Sequence, residues 1–144
     1  MTQHLQKEIG KLKKQILQIG AAAEDAVRRS ILAIEKKDIK LAAEVIQKDS
    51  DIDRMEVDLE EDCLKVLALH QPVAIDLRFV VSVLKINNDL ERIGDLAVNM
   101  AETCEVLSKT KGILPQNIKE MSEISAHMLK DSLDSLVNMD TAKA

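Results

Sequence analysis

Aromatic residues are almost absent: the chain has no Trp, no Tyr and one Phe, Phe79. Its core must therefore be aliphatic, built from Leu, Ile, Val, Ala and Met. Apolar residues make up 46% of the sequence, enough for a real core in one domain of 144 residues. Glycine and proline are scarce, at four and two, which favours long uninterrupted helices. No run approaches the ~20 apolar residues that a membrane span needs. The opening Met-Thr-Gln-His-Leu-Gln-Lys-Glu lacks the apolar stretch of a signal peptide. The two cysteines, Cys63 and Cys104, sit at apolar helical positions and read as buried free thiols rather than a disulfide or metal ligands. These features together predict a cytoplasmic protein. The net charge of −5 comes without a basic patch that stands out, which argues against nucleic acid as the main partner.

Four helical segments are present. The first is predicted from about Gln3 to Lys36, with Leu5, Ile9, Leu12, Ile16, Ile19, Ala23, Ala26, Val27, Ile31 and Ile34 stepping by three and four. Asp38 is placed to cap a second helix, from about Ile39 to Leu69, whose stripe is Ile52, Met55, Leu59, Cys63 and Val66. Pro72 lacks an N–H and restricts the residue before it, so this helix stops by Gln71. The third runs from about Val73 to Ser108 with the core line Phe79, Val83, Ile86, Leu90, Ile93, Ala97, Met100 and Cys104. After a Lys-Thr-Lys-Gly linker, Pro115 suits the first turn of a fourth helix reaching about Asn138. The fold class is all-α: an antiparallel three-helix bundle with left-handed packing, plus a fourth helix.

The fourth helix carries a trace of repetition. A shift of 102 residues lays Met128–Ala144 onto Ala26–Ala42, and Ser30, Asp38 and Ala42 recur as Ser132, Asp140 and Ala144. The expected organisation is a first bundle over residues 1–110. Residues 111–144 are then a linker and the first helix of a second repeat that begins and stops. That helix bears an apolar stripe (Ile118, Met121, Ile124, Met128, Leu133, Leu136) that needs covering, either by folding back on its own bundle or by another chain, so homo-oligomers are expected.

Two acidic ladders flank the turn at Pro72. One is Asp49, Asp53, Glu56 and Glu60; the other is Glu91, Asp95 and Glu102, with Asn88 and Asn99 in the same stripe. Steps of three and four keep each ladder on one side of its helix. Asp53 and Glu91 each lie 19 residues from Pro72, and Asp49 and Asp95 each lie 23. In straight antiparallel helices these two Asp/Glu-x-x-x-Asp pairs come level. Four carboxylates at one height repel unless cations lie between them. A solvated helix face is the plainer explanation of such a charge run. On helix three the ladder lies opposite the core line and is expected to be exposed. Gly94 lowers helix stability by roughly 1 kcal/mol relative to Ala, which a close neighbour at that position would explain.

Three motifs carry a family resemblance. Asp89-Leu-Glu-Arg-Ile-Gly-Asp-Leu-Ala-Val-Asn-Met-Ala-Glu102, Leu67-Ala-Leu-His-Gln-Pro-Val-Ala-Ile-Asp-Leu-Arg78 and Lys48-Asp-Ser-Asp-Ile-Asp-Arg-Met-Glu56 resemble the signature, inter-helix turn and second-helix start of the PhoU family. The resemblance implies two three-helix bundles in the full family pattern, of which this chain holds the first and part of the second. It also implies a non-enzymatic regulator acting with a phosphate ABC transporter and a sensor histidine kinase, peripheral to the inner membrane through those partners. Multinuclear iron or zinc clusters on Asp/Glu-x-x-x-Asp motifs are implied as well. Carried over, the metal ligands are Asp49, Asp53, Glu91 and Asp95, with Asn99 and Glu102 able to add oxygens. The oxygen donors themselves also suit Mg²⁺ or Mn²⁺.

Two other classes compete. One is a metal-free helical scaffold. The other is a di-metal carboxylate enzyme, which uses Glu-x-x-His pairs inside a bundle; here His4, His70 and His127 all lie outside the acidic stripes.

Overall fold

The computed structural model describes residues 2–144. It contains four helices: α1 (Thr2–Lys36), α2 (Ile39–His70), α3 (Ala74–Ser108) and α4 (Gln116–Asn138). α1, α2 and α3 pack on one another in pairs, while α4 packs on α1 alone. The expected three-helix bundle with an added helix is therefore the observed fold, and α4 folds back on its own chain.

The main core is aliphatic, with Leu12, Ile16, Ile19, Leu59, Val66, Val80, Val83 and Leu90 fully buried and Phe79 beside them. A smaller cluster of Ala33, Ala42, Val45, Ala101 and Cys104 closes the end near the α1–α2 corner. Both cysteines are free and buried, and burial pushes the Cys63 thiol up to about 12. The predicted stripes differ from the buried faces in two places. Beyond Ala23 the buried positions of α1 are Ser30 and Ala33, with Val27 and Ile31 only half-buried. In α3, Asn87 and Gly94 are buried while Ile86 and Ile93 are half-buried. Each of α1, α2 and α3 touches two or more neighbours, so its buried surface is wider than a single stripe.

The corners follow local chemistry. Asp38 caps α2, its Oδ1 accepting from the Leu41 N–H at 3.0 Å. Asp38→Ala should lower stability by about 1 kcal/mol, read as a lower melting temperature with unchanged helicity below the transition. Gln71 closes α2 in the left-handed region, at φ 44°, and Pro72 bars continuation. Pro115 stands just before α4, with ψ 140°, rather than inside its first turn.

The corner after α4 reproduces the corner after α1. Lys37 and Met139 both take positive φ, at 55° and 53°. Asp38 N–H donates to Ala33 O at 2.8 Å and Asp140 N–H to Ser135 O at 2.9 Å. Asp140 Oδ1 accepts from Lys143 N–H at 3.2 Å as Asp38 Oδ1 accepts from Leu41 N–H. Every one of these pairs is related by the 102-residue shift found in the sequence.

Against α1, α4 buries Ala126 and Leu133, and Leu133 sits over Gly20, where a Cβ would overlap its Cδ1. Glu123 pairs with Arg28 at 3.6 Å and Lys119 with Glu35 at 3.4 Å. Met121, Ile124 and Met128 stay exposed, at 59%, 60% and 65%. No helix of the described residues is long and apolar enough to cross a membrane.

Candidate metal centre

α2 and α3 form a hairpin about Pro72, and side chains from its two arms meet at mirrored positions. Asn87 Nδ2 donates to the Glu56 carbonyl oxygen at 2.9 Å. Glu56 lies 16 residues before Pro72 and Asn87 lies 15 after. Gly94 faces Asp49: a Cβ there would come within 3.4 Å of Asp49 Oδ1. At that distance a Cβ would make an ordinary van der Waals contact, so Gly94 marks a close approach of α3 to Asp49 without being required by it. The two ladders thus stand level along the seam, within one residue of the register counted from the sequence.

Five carboxylates share this seam. Asp53, Glu91 and Asp95 are exposed, Asp49 is half-buried and Glu56 is buried. Burial first, then the charges of Asp53, Asp95 and Glu91, hold the Asp49 carboxyl above its ordinary range. Burial first, then Glu91, Asp53, Asp49 and Asp95, push Glu56 up to about 7. Among the described residues none of the five forms an ion pair with Lys, Arg or His, although nine such pairs stud the rest of the surface. The seam is therefore a concentrated negative field without internal compensation.

The donor set fits a hard cation, since every group that reaches the seam offers oxygen. Its side chains are not drawn around one point: no three His, Cys, Asp or Glu groups among the described residues stand close enough to hold an ion as they lie. The charges of Asp53, Asp95 and Glu91 all act on the Asp49 carboxyl, so the four share the seam without being gathered around one ion position. Asn99 is exposed one turn beyond Asp95. Glu102 is seven residues from Asp95, about 10 Å along the axis, beside Ile39, Ala42 and Ile46. It is not among the charges that act on Asp49 or Glu56. Glu56 and Asn87 join the seam although neither stands among the ligands read from the sequence. The signal was present for Asn87, which continues the buried series Val80, Val83, Leu90, Gly94 and Ala97 at steps of three and four.

A sequence model of the PhoU domain matches residues 16–104. The chain is 40% identical over 139 residues to a phosphate-specific transport system accessory protein PhoU homolog of Aquifex aeolicus, covering 96% of this chain and 63% of that protein. It is 34% identical over 138 residues to the phosphate-specific transport system accessory protein PhoU of Serratia marcescens, covering 95% of this chain and 57% of the relative. The crystal structure of the phosphate transport system regulatory protein PhoU from Streptococcus pneumoniae superposes with a TM-score of 0.89 at 29% identity, over 96% of this chain and 66% of that one. PhoU from Pseudomonas aeruginosa gives 0.87 at 30%, over 96% of this chain and 67% of that one. The chain spans roughly three fifths of the length of these curated relatives, and over that span sequence motifs, family model and helical architecture agree. It belongs to the PhoU family.

Proposed function

We propose that this chain is a non-enzymatic regulator of phosphate uptake and phosphate-starvation signalling whose α2–α3 seam binds cations. The observation that supports the regulatory reading is the likeness, nearly end to end, to proteins named as accessories of phosphate-specific transport. The observation that supports the cation reading is the five-carboxylate seam without a cationic partner.

Asp49, Asp53, Glu91 and Asp95 would hold the metal, with Asn99 within reach from the next turn and Glu102 serving a neighbouring ion. Iron or zinc is the family expectation, and the all-oxygen donors suit Fe³⁺, Mn²⁺ or Mg²⁺ better than Zn²⁺. A bound cation supplies positive charge, which relieves repulsion across the seam and fixes the two helices at one spacing. The exposed carboxylates of α3 then present a docking surface whose net charge depends on occupancy. The partners proposed for that surface are the phosphate ABC transporter and a sensor histidine kinase. Cytoplasmic placement, next to the inner membrane through these partners, follows from the same reading.

Residues 111–144 are read as a linker and the opening of a second repeat, supported by the matched corners at Asp38 and Asp140. The exposed Met121, Ile124 and Met128 face of α4 fits a homodimer or higher oligomer.

The double variant Glu91→Gln with Asp95→Asn tests the whole reading. Metal content by elemental analysis should fall to background while helicity by circular dichroism is kept. In phosphate-replete bacterial cells lacking their own member of this family, the wild-type chain should lower phosphate uptake and the variant should not. Unchanged metal content would remove the site assignment, and no effect of the wild-type chain on uptake would remove the regulatory role.

A further inference from the structure

The end of the bundle at Pro72 holds large aliphatic side chains out of the core. Leu69, Val73 and Ile75 are 75%, 74% and 61% exposed, and Leu77 is 40% exposed. All four lie within five residues of Pro72, so they crowd one hairpin tip. The turn that displays them is strained. Gln71 and Ala74 take positive φ, 44° and 50°, a region that residues with a Cβ enter at a cost. Strain of this kind clusters at functional surfaces, and apolar groups gathered in solvent mark a contact. Basic residues from distant parts of the sequence surround the tip. α1 starts at this same end: Gln6 Nε2 donates to Asp76 Oδ2 at 3.2 Å, and Lys13 Nζ lies 5.4 Å from the Phe79 ring centre. Residues 2–14 and 65–78 hold six Lys and Arg against two acids, Glu8 and Asp76, in a chain of net charge −5. Both acids are engaged, Glu8 by Lys11 and Asp76 by Gln6. Lys7, Lys14 and Arg78 are exposed and form no ion pair among the described residues.

An aliphatic tip ringed by Lys and Arg matches the surface of an anionic bilayer. Acyl chains close around a narrow hairpin without the matching groove that a protein partner would need. The basic side chains lay their stems along apolar surface and keep their charges among the headgroups. We propose that the α2–α3 tip docks this chain on anionic phospholipid, with Leu69, Val73 and Ile75 entering the headgroup–acyl boundary and Lys7 and Arg78 meeting lipid phosphates. The contact is peripheral, because no helix of the described residues is long and apolar enough to cross a membrane. Apolar entry and charge attraction are each weak and act together, as reversible surface binding requires. The overall negative charge does not oppose this. The acidic pairs lie 19 and 23 residues along the hairpin from Pro72. That is roughly 30 Å from the tip and beyond the reach of screened charge at physiological salt.

The test is sedimentation of the full chain with phosphatidylglycerol–phosphatidylethanolamine vesicles, and separately with phosphatidylcholine vesicles. Chelator is present throughout, so no cation bridges the acidic seam to lipid. The wild-type chain should sediment with the anionic vesicles, less so at high salt, and stay in solution with phosphatidylcholine. Val73→Ser with Ile75→Ser should weaken binding by about tenfold or more, and so should Lys7→Glu with Arg78→Glu. Ile113, 92% exposed in the linker before α4, is the control: Ile113→Ser should bind as the wild type does. Circular dichroism checks each fold. The chain has no tryptophan, so Val73→Trp is a lone fluorescent reporter. Its emission should shift to the blue on anionic vesicles and be quenched by bromine carried on the acyl chains. No binding of the wild-type chain to anionic vesicles would overturn the proposal and leave the tip to a protein surface. Wild-type binding by the serine variant, or a reporter that stays in water, would overturn entry of the tip. Equal loss in Ile113→Ser would overturn its assignment to this end of the bundle.

Discussion

In chelator at pH 8, Glu56→Gln melts roughly 4–8 °C above the wild-type chain, and the gap closes as the pH falls toward 4.5. The carboxyl titrates at about 7 in the folded chain against 4.5 as its ordinary value. Between these values the folded state holds a proton that the unfolded state has released. Stability linked to Glu56 is thus fully present below pH 4.5 and is lost as the pH rises through 7. The displacement corresponds to about 2 kcal/mol once allowance is made for solvent reaching the seam. Gln removes the titration and keeps the shape of the side chain. The Asp49 carboxyl, also raised, acts in the same direction in both proteins, so the difference between their melting curves isolates Glu56. Thermal melts of the pair at half-unit pH steps check this. Parallel curves from pH 5 to 8 would mean that the buried carboxyl does not hold its proton.

Leu59→Ala has the larger effect on the fold. Leu59 is fully buried in the main cluster with Ile16, Val83 and Leu90, in a core with no aromatic side chain except Phe79 to collapse into the gap. Removing three carbons there should destabilise by about 3 kcal/mol. In a chain of this size that lowers the melting temperature by roughly 10 °C. Leu64, five residues along the same helix but 52% exposed, supplies the contrast: Leu64→Ala should change stability by less than about 0.5 kcal/mol. Chemical denaturation of both variants measures the two values directly. Equal losses would mean that the α2 face packed on the bundle has been misassigned.

Much of this architecture is legible without coordinates. Helix ends at Asp38 and Gln71 announce themselves because capping and proline act through neighbouring backbone. The level acidic pairs follow from symmetric counting about Pro72, which works because α2 and α3 are long and lack interior prolines. Burial inside the seam is another matter. Glu56 and Asn87 are polar, so a pattern of apolar spacing passes over them, though both occupy core-facing positions. Their burial depends on where α3 meets α2, a tertiary fact. The glycine at position 94 could be flagged as in need of a close neighbour, but the neighbour, Asp49, appears only once the helices are docked. The side of the bundle taken by α4 is likewise unwritten in its own stripe. α4 buries Ala126, Leu133 and Ser135 on α1 and leaves Met121 and Met128 in solvent, because ion pairs to Arg28 and Glu35 and the notch at Gly20 favour that face.

The central claim is that cations sit in the α2–α3 seam. Crystals of the full chain grown with Mn²⁺, and measured for anomalous scattering, test it most directly. The account predicts an anomalous peak between the Asp49–Asp53 pair of α2 and the Glu91–Asp95 pair of α3. A map with no peak in that seam would contradict it.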